Sequence, residues 1–389
     1  MGYITELDKR YIANTYARFP VVVASGKGSI ITDIHGNKYI DLGTGISVNT
    51  FGIADDAWQD AVIAQMNRFQ HTSNLYYSEP NVQLARLLCE RTGMSRVFFS
   101  NSGAEANECA IKVARKYACE KKGPEYYTII TLKNSFHGRT ITTLAATGQE
   151  MFHKDFQPLT EGFVYAEANS LESIEKLVKK EKIAAILFEV VQGEGGVMPL
   201  EHEFLSGISQ IAAQNDILLI ADEVQIGNGR SGELYGYMHY DISPDIFTTA
   251  KGLGGGLPIG ATVFNQKTAD VLTPGSHGST FGGNPICCAG AISVLSRIDR
   301  EVLDEVKRKS AYIFSELEGA EGITGISGLG LMIGIETVKD PMLVVEQCRE
   351  QGVLVLTAKN KVRLLPALNI PQEELSEAIN IIKSVCAEG

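Results

Sequence analysis

Seven short apolar and β-branched runs, separated by helical stretches, are the feature that most restricts the fold of this chain. They are residues 96–100, 127–132, 163–167, 184–191, 217–221, 246–250 and 259–264. Most are apolar throughout rather than alternating, which is typical of strands buried on both faces of a sheet. Strands and helices in alternation indicate a mainly parallel sheet. The sequence therefore predicts an α/β fold whose large domain contains a mainly parallel seven-stranded sheet.

Two other stretches show the spacing of amphipathic helices, in which apolar side chains recur on one face. The two sets are Leu171, Ile174, Leu177 and Val178, and, upstream, Trp58, Val62, Ile63, Met66 and Phe69. Each set is predicted to form one helical face.

The pattern changes after about residue 285. A helical stretch, 286–319, is followed by the short apolar runs 330–337, 352–358 and 361–368 and by a helix at 371–387. We expect a smaller C-terminal α+β domain at 285–389, beside a large domain at 46–284. The strand-like N-terminal segment, 1–45, is predicted to join the smaller domain.

Composition excludes several classes of function. The 389 residues include 35 Lys and Arg against 46 Asp and Glu, a net charge of −11 that argues against nucleic-acid binding. Seven cysteines without C-x-x-C spacing favour neither a disulfide framework nor a zinc site, and the histidines show no metal-ligand pair. The apolar runs are too short to span a bilayer, and the N-terminus lacks the apolar core of a signal peptide. We therefore expect a cytoplasmic protein with no metal and no membrane contact.

Polar segments follow five of the predicted strands directly. They are "NSGAEANE" (101–108), "NSFHGRT" (134–140), "QGEGG" (192–196), "DEVQ" (222–225) and Lys251. Any one of them is an ordinary way to end a strand. In an open α/β sheet, however, ligands bind at the carboxyl edge, so the five together predict one binding site there.

The first of these segments has the pattern of an anion site. Residues 100–103 connect a strand to a helix, and backbone N–H groups at a helix start bind phosphate or carboxylate. Gly103 permits close approach, and Ser102 adds a hydroxyl donor. Asn and Ser are also ordinary helix caps, so this pattern needs support from the rest of the site.

Lys251 stands alone at the end of a strand, with a glycine cluster directly after it. A phosphate-binding P-loop has its glycines before the lysine, and "GLGGGL" has Leu257 where G-x-G-x-x-G needs its last glycine. The other use of a lone lysine in a dry site is an imine with an aldehyde, because burial lowers the amine pKa. Pyridoxal 5′-phosphate (PLP) fits this use. It needs an acid at its pyridine nitrogen, a role that suits Asp222, and an anion site, the helix start at Gly103.

The chain resembles a class III (ω-amino acid) PLP-dependent aminotransferase of fold type I nearly from end to end. The motifs "NSGAEANE", "FHGRT", "EVVQGEGG", "LLIADEVQ", "TTAKGLGGGLPIGA" and "STFGGNP" stand in the order and spacing of that family. Within it, "HTSNLYYSEP", "SFHGRTITTLAATGQ" and "HGSTFGGNP" resemble the acetylornithine branch.

The resemblance implies a role for each matching residue. Lys251 would form the imine and move a proton between substrate and cofactor, and Asp222 would pair with the protonated pyridine nitrogen. Further cofactor contacts would come from Ser102, Gly103 and Ala104 at the phosphate, Phe136 and Val224 at the ring faces, Gln225 at the 3′-oxygen, and Thr280 of the partner subunit. Substrate contacts would come from Arg139, Arg363, Glu194 and Ser279. Glu194 would cover Arg363 when no glutamate is bound.

The resemblance also implies the activity. A homodimer with shared active sites would pass the terminal amine of N-acetylornithine to 2-oxoglutarate, giving N-acetylglutamate semialdehyde and glutamate in arginine biosynthesis. Ornithine, succinylornithine, 4-aminobutyrate or an N-modified lysine remain alternative donors. His137, which stands in place of a bulkier aromatic residue, argues mildly against free ornithine. The segment 51–58 departs from the family pattern and leaves this choice open. A catalytically silent PLP-fold regulator is a further alternative, against which the intact Lys251, Asp222 and Arg139 argue.

Overall fold

The computed structural model describes residues 2–387, which begin with a helix and a small antiparallel meander. These first elements are α1 (Gly2–Tyr11), β1 (Val23–Lys27), β2 (Ile30–Asp33), β3 (Lys38–Asp41) and the helical turn α2 (Thr44–Ser47). The turn between β2 and β3 is held by the Asp33 carboxylate, which accepts hydrogen bonds from the backbone N–H groups of His35 and Asn37. This turn positions strand β3, which pairs on its other side with a strand from the C-terminal part of the chain.

The middle of the chain supplies most of the elements of the large sheet. In order they are α3 (Asp56–Met66), α4 (Glu79–Thr92), β4 (Arg96–Ser100), α5 (Gly103–Lys122), β5 (Thr128–Leu132), α6 (Ile141–Ala146), α7 (Glu150–His153), β6 (Phe163–Ala166), α8 (Leu171–Lys180), β7 (Ile183–Phe188), β8 (Val191–Gln192), β9 (Met198–Pro199), α9 (His202–Gln214), β10 (Leu218–Asp222), β11 (Ile246–Thr249) and β12 (Gly260–Phe264). Two single 3₁₀ turns, Gly236–His239 and Lys251–Leu253, lie before and after β11.

The large sheet has seven strands in the order β4-β12-β11-β10-β7-β5-β6. All neighbours are parallel except β12, which runs antiparallel to both β11 and β4. Each of the seven predicted runs contributes one strand, so the predicted sheet is confirmed. One run is divided, because β7 ends at Phe188 and β8 pairs instead with β9 in a separate two-stranded ribbon.

The wholly apolar strands are explained by packing on both faces of this sheet. Leu218 and Ile220 of β10 belong to the core cluster that contains α5, and Leu219 and Ala221 belong to the cluster that contains α9. Successive side chains of a strand point to opposite faces, so a strand covered on both sides needs an apolar residue at every position. The ends of the strands are then the first positions where polar residues reach a cavity.

The C-terminal part contains a second, antiparallel sheet. Its elements are α10 (Pro285–Arg297), α11 (Arg300–Leu317), β13 (Ile323–Leu329), β14 (Met332–Thr337), α12 (Pro341–Glu350), β15 (Val353–Leu354), β16 (Leu356–Ala358), β17 (Lys361–Leu364) and α13 (Gln372–Ala387). The sheet order is β13-β14-β17-β16. The helical stretch predicted at 286–319 is two helices, because Asp299 caps a new one by accepting from the Val302 N–H. None of the helices within residues 2–387 is long and apolar enough to cross a membrane.

Contacts between the ends of the chain bear on its division into domains. Strand β15 pairs in parallel with β3, which joins the N-terminal segment to the C-terminal part. Helix α10, in contrast, packs against α3 and α4. The division into 1–45, 46–284 and 285–389 stays a prediction, and the position of α10 favours a later second boundary, near Ile298.

The apolar face expected on α3 is only partly buried. Val62 is buried and Trp58 packs on the core, but Ile63 and Met66 are 54% and 57% exposed. The buried position beside Val62 is taken by Gln65, whose Nε2 donates to the Phe69 carbonyl at 2.9 Å. A satisfied polar residue therefore replaces part of the expected apolar contact.

Candidate active site

A cavity of about 490 Å³, the size of a small-molecule site, lies at the carboxyl edge of the large sheet. Four of the five polar segments predicted to converge line it, namely those that contain Gly103, Phe136, Asp222 and Lys251. The fifth, 192–196, reaches the cavity through Glu194, whose Oε1 accepts from the lining residue Gln225 at 3.4 Å. The structure thus brings together segments that follow different strands.

Asp222 ends strand β10 and is 4% exposed. Its Oδ1 accepts from the Val224 N–H at 3.0 Å, and its Oδ2 accepts from Asn107 Nδ2 and lies 2.8 Å from His137 Nδ1. These contacts make His137 Nδ1 the donor. These donors orient the carboxyl group at the edge of the cavity, where an unpaired buried charge is costly and a cationic partner is favoured.

Lys251 follows β11 and begins a 3₁₀ turn with φ of 43°, a left-handed conformation that is uncommon outside glycine. Burial lowers the pKa of its amine, which favours the nucleophilic neutral form. The glycines behind it let other parts of the chain approach closely. A Cβ on Gly252 would lie 2.8 Å from Thr50 Oγ1, and one on Gly254 would lie 2.1 Å from the Leu257 carbonyl oxygen. The left-handed φ of Lys251 is backbone strain, which is typical of functional positions.

The N-terminus of α5 opens onto the same cavity. Ser102 caps this helix, since its Oγ accepts from the Glu105 N–H at 3.2 Å, and its own O–H remains able to donate. A Cβ on Gly103 would lie 2.6 Å from Val224 Cγ1, so only glycine permits this packing. Ser102, Gly103 and Ala104 all line the cavity, where the positive end of the helix dipole favours an anion.

Phe136 and Val224 both line the cavity, and Phe136 is tied to a buried carboxylate. Glu189 is 5% exposed, and it accepts from the Phe136 N–H at 2.9 Å and from the Gly193 N–H at 3.3 Å. Burial, followed by the charge of Asp222, raises the pKa of Glu189 well above its ordinary value. One side chain thus fixes both the loop of Phe136 and the start of the segment 192–196.

Two arginines at the other end of the site differ in exposure and in their contacts. Arg139 is exposed, and its guanidinium lies over the rings of Phe136 and Phe152. Arg363, on β17, is 3% exposed and pairs with Glu194 at 2.6 Å.

Gln225 joins this pair, since its Oε1 accepts from Arg363 Nη1 at 3.0 Å. Burial would raise the pKa of Glu194, but the charge and hydrogen bond of Arg363 outweigh burial and hold that pKa below its ordinary value. Glu194 and Arg363 thus form one ion pair, the gate pair.

Ser279 and Thr280 are not brought into this cavity. They line a separate surface pocket with His277 and Phe281, and Thr280 is exposed. Ser279 Oγ accepts from Asn101 Nδ2 at 3.2 Å, so these residues lie near the helix start without facing Lys251 of the same chain. Their predicted roles stay predictions.

Comparison with known families identifies the chain. Residues 11–386 match the family described as Aminotransferase class-III. The chain belongs to this family. The resemblance seen in the motifs of the sequence is therefore confirmed, and so is the prediction of an aminotransferase.

Relatives of this aminotransferase match it over nearly its whole length. The acetylornithine aminotransferase of Haemophilus ducreyi is 50% identical over 99% of this chain and 98% of the relative. The acetylornithine aminotransferase of Caldanaerobacter subterraneus is 44% identical over 98% of each.

Solved aminotransferases share its fold. An ornithine aminotransferase from Toxoplasma gondii aligns with a TM-score of 0.94 and 33% identity over 98% of this chain and 94% of that one. An N-acetylornithine aminotransferase from Stenotrophomonas maltophilia aligns with a TM-score of 0.86 and 33% identity over 98% of this chain and 98% of that one. These neighbours confirm the predicted fold class.

Class III aminotransferases use PLP, and the residues present here fit that cofactor. A buried carboxylate at Asp222 suits a protonated pyridine nitrogen, and the helix start at Gly103 suits a phosphate. Phe136 and Val224 supply apolar walls, and Lys251 supplies an amine of lowered pKa. When bound, PLP contributes an aldehyde that combines with primary amines and a ring that takes up negative charge.

The sequence analysis missed two residues of the aminotransferase site. Asn107 Nδ2 donates both to Asp222 and to the His137 carbonyl, and its Oδ1 accepts from Thr248 Oγ1 at 2.8 Å. The available signal was its position four residues after Gly103, on the buried side of α5. Glu189 was missed as well, because it lies inside the predicted run 184–191, whereas strand β7 ends at Phe188.

Proposed function

We propose that this aminotransferase passes the terminal amine of N-acetylornithine to 2-oxoglutarate, giving N-acetylglutamate semialdehyde and glutamate. The observation that carries the proposal is the contrast between the two arginines. Among residues 2–387, Arg139 has ring contacts but no hydrogen bond or ion pair, whereas Arg363 is held by Glu194 at 2.6 Å. Curated relatives named acetylornithine aminotransferase, at up to 50% identity over the full chain, support the same donor.

This contrast matches the needs of two different substrates in one pocket. The reacting carbon of the ω-amine carries no carboxylate, whereas the reacting carbon of glutamate carries one. An open Arg363 would favour any α-amino acid over the ω-amine, because Arg binds carboxylate through two parallel hydrogen bonds. Masking Arg363 with Glu194 removes that preference while the ω-amine reacts. Arg139 then serves the distant carboxylate of either substrate.

The residues at the cofactor end hold and move protons. Lys251, whose amine pKa is lowered by burial, would take the proton from the substrate carbon and return it on the cofactor side. Asp222, 4% exposed, would keep the ring nitrogen protonated by its negative charge. The walls at Phe136 and Val224 exclude water and so strengthen these interactions.

We also infer a homodimer in which Thr280 serves the phosphate site of the neighbour. The exposed apolar side chains of residues 75–77 and Phe281 support it, since Leu75 is 88%, Tyr77 101% and Phe281 60% exposed. Asn74 joins these segments, because its Nδ2 donates to the Ser279 and Gly282 carbonyls at 3.0 Å. Exposed apolar clusters are typical of protein–protein contacts.

The remaining proposals concern the donor and its setting. Ornithine, succinylornithine, 4-aminobutyrate and N-modified lysine are the competing donors; acetylornithine is favoured by the curated relatives, at up to 50% identity. Arginine biosynthesis is the pathway that the proposed donor implies. Seven cysteines, all free, favour a reducing cytoplasm.

A half-reaction screen tests the proposal. The PLP-loaded protein is mixed with each donor in turn, and the loss of the cofactor's yellow absorbance is followed in a single turnover. N-acetylornithine should react with the highest second-order rate constant. A higher constant for ornithine or 4-aminobutyrate would replace the donor, and no reaction with any amine would instead support a silent regulator.

A further inference from the structure

The guanidinium of Arg139 is held by a ring that the sequence analysis did not include. Arg139 Cζ lies 4.6 Å from the centroid of Phe152 and 5.6 Å from that of Phe136. The two rings meet edge to face, with centroids 5.8 Å apart and an angle of 75°. Arg139 makes no ion pair or hydrogen bond with any other residue in the range 2–387. The aromatic contacts are therefore what restrict its side chain.

The position of Phe152 is set by the anchoring of α7. His153 is 8% exposed, and its Nε2 donates to the carbonyls of Leu144 at 2.9 Å and Thr147 at 2.7 Å. Gln149 Nε2 donates to the Ser135 carbonyl at 3.1 Å, directly before Phe136. The helix is thus fastened to the same loop that carries Arg139, so the ring and the guanidinium keep their relative position.

A guanidinium that rests on an aromatic face keeps its N–H edge free. The attraction acts through the flat face, whereas a carboxylate is bound in the plane of the N–H groups. An exposed arginine without such a contact samples many rotamers, and ordering them on binding weakens affinity. A ring that limits this freedom in advance therefore strengthens carboxylate binding without touching the ligand.

We propose that Phe152 is a positioning residue that presents Arg139 to the carboxylate remote from the reacting amine. The inference rests on the proposed function, in which Arg139 binds that carboxylate. It makes Phe152 part of the selection for ω-amino acids over simple primary amines. The ring acts through Arg139 and has no contact of its own with the reacting atoms.

The test compares three variants of the PLP-loaded enzyme with two donors. Phe152→Leu removes the aromatic face, Phe152→Tyr keeps it, and Phe156→Leu makes the same change at a ring that is 58% exposed and has no contact with Arg139. The donors are N-acetylornithine and its α-carboxamide. Phe152→Leu should raise KM for the carboxylate donor about two- to fivefold, with kcat and both constants for the carboxamide unchanged. Phe152→Tyr and Phe156→Leu should match the wild type.

Binding without turnover supplies a second readout. 2-Acetamidopentanoate has the carboxylate of the proposed donor and lacks its terminal amine. Its Kd, measured by calorimetry, should weaken in Phe152→Leu by about the same two- to fivefold factor. In an Arg139→Ala background the Phe152→Leu change should have no further effect, because the two side chains act as one unit.

The outcomes separate this inference from the proposed function. If Arg139→Ala raises KM for the carboxylate donor alone while Phe152→Leu affects both donors equally, Phe152 is structural and only the inference is overturned. If Arg139→Ala itself does not distinguish carboxylate from carboxamide, the proposed role of Arg139 is wrong and the inference fails with it.

Discussion

The two ends of the cavity are built in different ways. At the cofactor end, Asp222 stands at the end of a central strand and Gly103 at the start of a long helix, both packed into the large sheet. At the substrate end, Arg139 is exposed on a loop, and the gate pair joins the segment 192–196 to a strand of the smaller sheet. The groups proposed to act in every turnover are thus fixed by the sheet, and the groups proposed to serve two substrates lie where contacts can be exchanged.

The gate pair is suited to exchange by its unequal burial. Arg363 is 3% exposed at its side chain, whereas Glu194 is 30% exposed. A buried cation that loses its carboxylate partner is strongly destabilised, so Glu194 is expected to leave readily only when another carboxylate replaces it. The α-carboxylate of glutamate is such a replacement. Asp222 is held differently, because the Val224 N–H, Asn107 Nδ2 and His137 Nδ1 all bind its carboxyl group at once.

The largest effect is expected from Lys251→Ala, at the cofactor end. The variant should keep its fold and lose turnover by at least about 10³-fold, since both the nucleophile and the proton carrier are removed. Single-turnover rates and circular dichroism measure the two properties. Lys383→Ala, which breaks a surface pair with Glu316 at 2.9 Å, is the control and should stay active. Normal rates in Lys251→Ala would overturn its assignment.

Asp222→Asn should slow the half-reactions by roughly 10²-fold or more, because a neutral amide does not hold the ring nitrogen's proton. The matched control is Glu223→Gln. The Glu223 carboxylate does not line the cavity, and it accepts hydrogen bonds from the Gly236 and Tyr237 N–H groups. That variant should lower the melting temperature while the rates stay near wild type. An Asp222→Asn rate within about twofold of wild type, only ~0.4 kcal/mol, excludes the role.

Removing either member of the gate pair is expected to change the ratio of the two half-reaction rates, in opposite directions. Glu194→Ala should raise the glutamate half-reaction relative to the acetylornithine one by ~10–100-fold, and Arg363→Ala should lower that ratio. Both half-reactions are measured in single turnover for each variant. Glu336→Ala breaks another ion pair of the smaller sheet, with Lys361 at 3.0 Å, and should leave the ratio unchanged. Equal slowing of both half-reactions in Glu194→Ala would make Glu194 part of a shared scaffold.

Among these changes at the two ends of the cavity, the smallest effect is expected from Thr280→Val. It tests whether a second chain completes the cofactor end. Thr280→Val should weaken PLP retention by about tenfold, the contribution of one hydrogen bond to a charged group. In mixed dimers of wild type with a Lys251→Ala/Thr280→Val chain, the one site that keeps its lysine should show this loss. Thr273→Val, an exposed threonine of the same loop, is the control. Wild-type retention at that site would place Thr280 outside it.

Much of the fold was predictable because the strong signals are local. The seven predicted runs, most of them apolar throughout, mark the strands, and all seven contribute to the large sheet. Strand β13 was missed since its residues, "ITGISGL", contain two glycines and none of them is fully buried. The break between α10 and α11 was missed because Asp299, a helix cap, lies between two helical patterns of similar composition.

The sequence by itself determined which residues stand at strand ends, and with them Lys251, Asp222 and the helix start at Gly103. Strand ends are encoded locally, because apolar runs stop where the packed faces of the sheet give way to the polar edge. Only the tertiary structure decided which of these ends meet. Arg363 lies 169 positions from Glu194 in the chain, yet their side chains are 2.6 Å apart. No local period encodes that distance, because it results from how the loop between β8 and β9 meets the smaller sheet.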